Sequence, residues 1–195
     1  MRGNALIHFV SCYLGFGKPH SQTTENEKKA ISKYAANCKC AVEIGVYEGV
    51  NTINIAKEIS SDATLYAIDP FVKGRLGICY YEKIARMLVK KNKVAGKIKF
   101  ITAYSAGAAP MVPSEIDFIF IDGDHSLEGI KQDWALYAGK VQTGGYMLLH
   151  DTVVPAHDPA VAALGSHQYF ESDIKSDPRF SIVDTVDSLS VLKRK

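Results

Sequence analysis

The chain predicts a doubly wound α/β fold, mostly parallel and closed by an antiparallel pair, and three features of its 195 residues carry that prediction. Short apolar runs alternate with stretches of helical period, the signature of repeated βα units. The runs DFIFID and GGYMLLHD are apolar throughout, as strands buried on both faces are. Near the end, FSIVDTV and SLSVLK follow one another with almost no spacer, which predicts a terminal hairpin.

Residues 5–16 are apolar and follow Arg2, yet the run has no small-x-small cleavage pattern and is too short to span a bilayer. They read as a helix or arm covering the sheet or a partner subunit, which makes a homodimer a reasonable expectation. After a polar stretch a helix starts near Thr24 and carries Ile31 and Tyr34 to about Ala36. Strands are expected at residues 40–45, 64–69, 97–102, 116–122 and 145–151. Between them fall helices at 51–59, at 78–91, in a short piece after Ser105 and around Trp134, where Leu127, Ile130, Trp134, Tyr137 and Val141 recur at helical spacing. Residues 155–170 read as a loop and helix. With no repeat or linker, residues 1–195 are expected to form one domain, residues 1–36 being an N-terminal arm and helix. A parallel sheet finished by a hairpin separates Rossmann-like folds of the methyltransferase type from dinucleotide dehydrogenases.

Lys and Arg total 23 against 21 Asp and Glu, and the basic residues are scattered apart from LVKKNK and LKRK, so a nucleic-acid partner is not indicated. The four cysteines have no C-x-x-C spacing and Cys38-Lys-Cys40 is too tight for an ordinary bridge, which points to a reduced cytoplasmic setting.

Glu43-Ile-Gly45-Val-Tyr-Glu-Gly49 closes the first strand and opens a helix. Gly45 permits a tight turn, Gly49 a close approach, and free N–H groups at the helix start suit a carboxylate. The spacing does not match the pyrophosphate fingerprint G-x-G-x-x-G. A nucleoside carrying an amino acid fits better: Glu43 serves its ammonium and the turn its carboxylate. Asp69, ending the second strand, is placed to accept ribose hydroxyls, or else only starts a turn before Pro70. Ser105, after the third strand, is a candidate for the adenine edge, or a helix N-cap. A right-handed crossover brings Asp122, Asp124, His125, His150 and Asp151 to one edge of the sheet.

VEIGVYEG, YAIDPF, IDGDHSLEGIKQD and GGYMLLHD resemble the class I S-adenosylmethionine-dependent methyltransferases. More narrowly they resemble the small bacterial branch with the cephalosporin hydroxylase-like proteins and macrolide sugar O-methyltransferases. The resemblance covers residues 41–152. It implies cofactor binding by Glu43, Gly45, Tyr47, Gly49, Asp69 and Ser105, with Asp122 beside them. It also implies a divalent metal held by Asp122 and Asp151, and a catalytic base at His125. The departure is His150, where the macrolide sugar enzymes carry an acid; Thr152 likewise stands where catechol-type relatives have an amide.

Two carboxylates suit Mg²⁺, and His150 as a third ligand shifts the preference towards Mn²⁺, Fe²⁺ or Zn²⁺. The function expected is methylation of a hydroxyl on a small molecule, such as a sugar unit of a glycan or natural product, with specificity in residues 71–77 and 153–169. The rivals are a metal-independent methyltransferase with a histidine base, a cofactor-binding accessory protein without turnover and an NAD-dependent enzyme.

Overall fold

The computed structural model describes residues 5–74 and 76–195; Arg2, in the N-terminal arm, and Arg75, in the 71–77 specificity segment, lie outside them. Seven strands form one sheet: β1 (Cys40–Ile44), β2 (Thr64–Ile68), β3 (Ile98–Ile101), β4 (Ile116–Ile121), β5 (Val141–Leu149), β6 (Phe180–Val186) and β7 (Leu189–Arg194). Their order is β3-β2-β1-β4-β5-β7-β6. The first five run parallel, and β7 pairs antiparallel with both β5 and β6. The helices are α1 (Ala5–Leu14), α2 (Glu25–Ala35), α3 (Val50–Glu58), α4 (Tyr80–Lys91), α5 (Ser105–Ala108), α6 (Leu127–Tyr137) and α7 (Gly165–Ser172).

The two-residue period of β4 divides the core. Phe118 and Phe120 turn to one face, against Ile31 of α2 and Ile55 of α3. Ile119 and Ile121 turn to the other, against Ile130, Trp134 and Tyr137 of α6. Burial of each such side chain stabilises the fold by about 1.5–3 kcal/mol. Thr24 caps α2 through a reciprocal pair, its hydroxyl accepting the Glu27 N–H while Glu27 accepts the Thr24 N–H.

Two expectations are corrected. Val141 is not on the α6 face: the helix ends at Tyr137, a 3₁₀ turn over Ala138–Lys140 redirects the chain, and Val141 opens β5 opposite Ile116. The N-terminal arm packs on α4 rather than on the sheet, with Phe9 and Tyr80 rings 5.9 Å apart. Because strand order reverses between β1 and β4, the crevice at their carboxyl ends is where an open α/β sheet takes ligands.

Candidate functional site

At that crevice Gly45 has φ +91°, and a Cβ there would stand 1.9 Å from the Asp122 carbonyl oxygen. Only glycine lets the β1 turn pass so close to the end of β4. Gly49, φ +81°, plays a packing part, since a Cβ would meet that of Ala85 on α4 at 2.9 Å. A cavity of about 450 Å³ opens above this turn, lined by Gly45, Tyr47, Asp69, Ser105, Asp122, His125 and Asp133 among others, a size typical of small-molecule sites.

Asp69 holds the turn itself. Its Oδ2 accepts the N–H groups of Val46 and Tyr47 at 3.1 and 3.0 Å, and Oδ1 accepts that of Phe71 at 2.7 Å. The Val46 and Tyr47 N–H groups are therefore given to Asp69 and are not free for a ligand carboxylate, whereas the helix-start groups named in the sequence reading begin only at Val50. Glu43 is fully buried beneath, its Oε2 accepting the Thr52 hydroxyl at 2.6 Å. Its Oε1 has no partner, and burial pushes the carboxyl well above the usual range. An ammonium group is the donor such an orphaned oxygen lacks.

Asp122, His125, His150 and Asp151 converge. His150 Nδ1 lies 3.1 Å from Asp122 Oδ1 and 3.4 Å from Asp151 Oδ1. His125 Nε2 lies 3.4 Å from Asp122 Oδ1 and its Nδ1 3.7 Å from Asp151 Oδ2. Adjacent residues on a strand point to opposite faces, but β5 ends at Leu149 and Asp151 takes φ +53°, which turns both side chains inward. Asp124 instead shapes its turn, accepting the Ser126 N–H at 2.9 Å, and Ser126 rather than His125 caps α6. Thr152 is scaffold: fully buried, it donates to the Leu149 carbonyl and sits 2.8 Å from the Ser190 hydroxyl.

Burial alone would raise the Asp122 carboxyl, yet the two imidazoles hold it well below its usual range. The opposite balance acts on His150, where burial opposes charge but Asp122, Asp151 and Glu27 push it up to about 12. Both His150 ring nitrogens lack a hydrogen bond of good geometry. Neighbouring ligands of one cation with bonds of about 2.0–2.2 Å stand roughly 3.0–3.4 Å apart. The spacings of 3.1 Å between Asp122 and His150, 3.4 Å between His150 and Asp151 and 3.4 Å between Asp122 and His125 fall in that range.

Two contributors were not legible in the sequence. Glu27, buried in α2, faces His150 Nε2 at 3.4 Å and also accepts the Ser188 N–H and hydroxyl. Glu48 straps down the arm, accepting from His8 Nε2 at 3.0 Å and the His20 N–H at 2.6 Å. The His8 and His20 rings stack 3.9 Å apart and nearly parallel. Since a metal lies in the plane of each imidazole it binds, this pair clamps rather than ligates. The signals for Glu27 and Glu48, a capping acid and a loop acid, are indistinguishable from solvated residues.

The family model described as "Methyltransferase domain" matches residues 42–152, more than half of the chain. An uncharacterized protein of Acanthamoeba polyphaga mimivirus is 30% identical over 142 residues, 66% of this chain; the chain matches only 62% of that relative's length. A putative caffeoyl-CoA O-methyltransferase from Staphylococcus aureus superposes with a TM-score of 0.71 at 13% identity, over 100% of this chain and 93% of that one. An O-methyltransferase from Bacillus cereus, solved in complex with SAH, gives 0.67 at 18%, over 100% and 92%. The O-methyltransferase TomG from Streptomyces achromogenes, involved in tomaymycin synthesis and solved with SAM, gives 0.65 at 16%, over 100% and 91%. At these identities the superpositions establish a shared fold.

Proposed function

The chain belongs to the methyltransferase-domain family, and from that premise we propose that it is an S-adenosylmethionine-dependent O-methyltransferase acting, with a divalent metal, on a hydroxyl of a small molecule such as a sugar unit. One observation carries the reading: Asp122 and His125, which line the cavity, meet His150 and Asp151 at its rim. The cofactor supplies an electrophilic methyl group on a sulfonium, and the metal a Lewis acid for the acceptor oxygen.

Glu43 Oε1, which has no partner, is the acceptor this reading gives the cofactor's ammonium, and the Gly45 turn leaves room for its main chain. Asp69, which accepts two turn N–H groups on Oδ2 and one on Oδ1, retains an Oδ1 lone pair for a ribose hydroxyl. Ser105 stands at the nucleobase end, and Tyr47 covers the cavity. Asp122 and Asp151 would supply hard oxygen ligands to the metal, and His150, its Nδ1 3.1 and 3.4 Å from their carboxylate oxygens, would add a nitrogen donor. His125, about a quarter exposed, is the base in this reading, through Nδ1, which at 3.7 Å from Asp151 Oδ2 makes no hydrogen bond. Such base catalysis is worth roughly 10²–10⁴ in rate.

A second reading has an observation of its own. His150 lies between Glu27, Asp122 and Asp151, so an imidazolium there balances carboxylate charge without a metal, leaving His125 as sole base. Chelation with EDTA followed by metal add-back separates the two readings. Under the first, activity disappears and returns, and Asp122→Ala and Asp151→Ala each abolish metal-dependent turnover. Calorimetry with S-adenosylhomocysteine should show Asp151→Ala close to wild type and Asp122→Ala weakened, because only Asp122 lines the cavity. Full activity in either variant removes the metal assignment, and heat with NAD in place of S-adenosylhomocysteine removes the cofactor assignment. A cofactor-binding protein without turnover would bind S-adenosylhomocysteine yet methylate no acceptor.

A further inference from the structure

We propose that α1 and the loop over residues 71–78 dock the protein on an anionic lipid surface, a role beyond the methyl transfer proposed above. The helix is the wrong way round for a solvated arm. Its polar side chains face the protein: His8 donates to the buried Glu48 at 3.0 Å, and Cys12 is buried. Phe9 packs on Tyr80 of α4. On the opposite side Ile7, Val10, Tyr13 and Leu14, three or four residues apart, form one exposed apolar stripe, Ile7 and Tyr13 each being 67% exposed. The Ser11 carbonyl accepts the Phe16 and Gly17 N–H groups at 3.0 Å, which turns the chain back after the helix and leaves Phe16 86% exposed. No Lys, Arg, Asp or Glu interrupts α1.

The loop extends this apolar surface. Val72 and Leu76 are both exposed, and together with His8 of α1 and Tyr80 and Ile84 of α4 they line a groove of about 900 Å³. Helix and loop therefore flank one opening, and apolar surface gathered in this way marks a contact with a partner or a membrane. Tyr47 and Tyr81 line both this groove and the cavity above Gly45, so the docking face adjoins the site.

Charge selects the partner. The whole chain is near balance, with 23 basic and 21 acidic residues, but residues 1–24 and 70–81 hold no Asp or Glu and four basic residues, Arg2, Lys18, Lys73 and Arg75. Lys18 and Lys73 are exposed. The neighbouring acids are already engaged: Glu48 is buried under His8 and the His20 N–H, and Glu82 pairs with Arg86 at 2.9 Å. A two-fold dimer lays a patch on its own copy, which here would set lysines against lysines with no acid on either segment to pair them. Anionic headgroups over hydrocarbon satisfy both halves of the surface, phosphates taking the lysines and the acyl boundary taking Ile7, Leu14 and Leu76. Tyr13 suits the interface between the two, where amphipathic rings collect. With 10 residues α1 is about 15 Å long and lies on a bilayer rather than through it; no helix among the described residues is long and apolar enough to cross one.

The test is co-sedimentation of the full chain with vesicles of phosphatidylcholine alone and of an equimolar mixture of phosphatidylcholine and phosphatidylglycerol. Wild type should partition onto the mixed vesicles at least about 10-fold more strongly than onto the neutral ones, since each basic residue near an anionic surface is worth about 5-fold. Lys18→Glu combined with Lys73→Glu should remove that preference. Ile7→Ser combined with Leu14→Ser should lower partitioning onto the mixed vesicles at least about 10-fold, because two apolar side chains no longer enter the acyl boundary. All four positions are exposed, so both variants should keep the wild-type urea midpoint. Wild type that stays in the supernatant, that partitions equally onto both vesicles, or that is matched by either variant on the mixed vesicles overturns the proposal. A dimer on size exclusion that ignores vesicles and is split by Ile7→Ser with Leu14→Ser gives the face to a second copy and likewise overturns it. None of these outcomes bears on the cofactor reading, which is tested with S-adenosylhomocysteine in the absence of lipid.

Discussion

At the scale of single residues, Gly45 and Asp133 mark the two ends of what the sequence makes legible. Gly45 is readable because a glycine after an apolar strand and before a helix has few other uses; its clash distance to Asp122 explains why the turn needs it. We expect Gly45→Ala to cost more than about 3 kcal/mol, backbone strain at positive φ adding to the overlap, and a urea titration within 1 kcal/mol of wild type would contradict this. Asp133 is unreadable because an acid on an amphipathic helix is normally solvated. Its carboxyl is raised from 3.8 to about 6 on folding, so the stability it contributes is full below pH 3.8 and lost as pH rises through about 6. At pH 7 the ionised group, with Oδ1 unpaired and only the Ser105 hydroxyl offsetting its burial, therefore destabilises the free protein. Asp133→Asn should raise stability by about 1–3 kcal/mol at pH 7 and leave it unchanged near pH 3. A gain of equal size at both values would show that packing, not charge, is responsible.

At the scale of elements, α2 carries more than its sequence announces. The Thr24–Glu27 capping box predicts where the helix begins, and the structure has it begin there. That Glu27 also bonds Ser188 in the β6–β7 turn and faces His150 at the end of β5 follows only from tertiary packing. Burial would raise its carboxyl, but His150, the Thr24 N–H and Ser188 bring it down to about 2. Glu27→Ala leaves His150 short of a partner in a buried setting, and such losses cost about 3–5 kcal/mol. Denaturant titration should find that loss, with a smaller one for Glu27→Gln, which keeps the shape and one acceptor. Equal stability of the alanine variant and wild type would detach α2 from the site. The β5 end was mistaken by pattern alone for a similar reason: the run at 145–151 is apolar enough to continue, but the positive φ of Asp151 stops it after Leu149.

At the scale of the whole molecule, β7 closes the sheet between β5 and β6, with Leu189, Val191 and Leu192 all buried in the core. Removing residues 188–195 uncovers the β5 edge, and a long apolar edge strand pairs with other chains. The truncated protein should appear in the void fraction on size exclusion, and a monodisperse product would show that β7 is dispensable. The order and kind of elements were determined by the sequence alone, because hydrophobic period, turn residues and caps act over a few neighbours. That Asp122, His125, His150 and Asp151 share one edge was legible in the strand-helix-strand pattern; which of their atoms face one another, that Asp124 turns aside and that Glu27 joins them was decided only by the tertiary structure. Glu27 arrives through packing of a distant helix and Asp151 through one backbone rotation, and neither long-range constraint leaves a periodic trace in the chain.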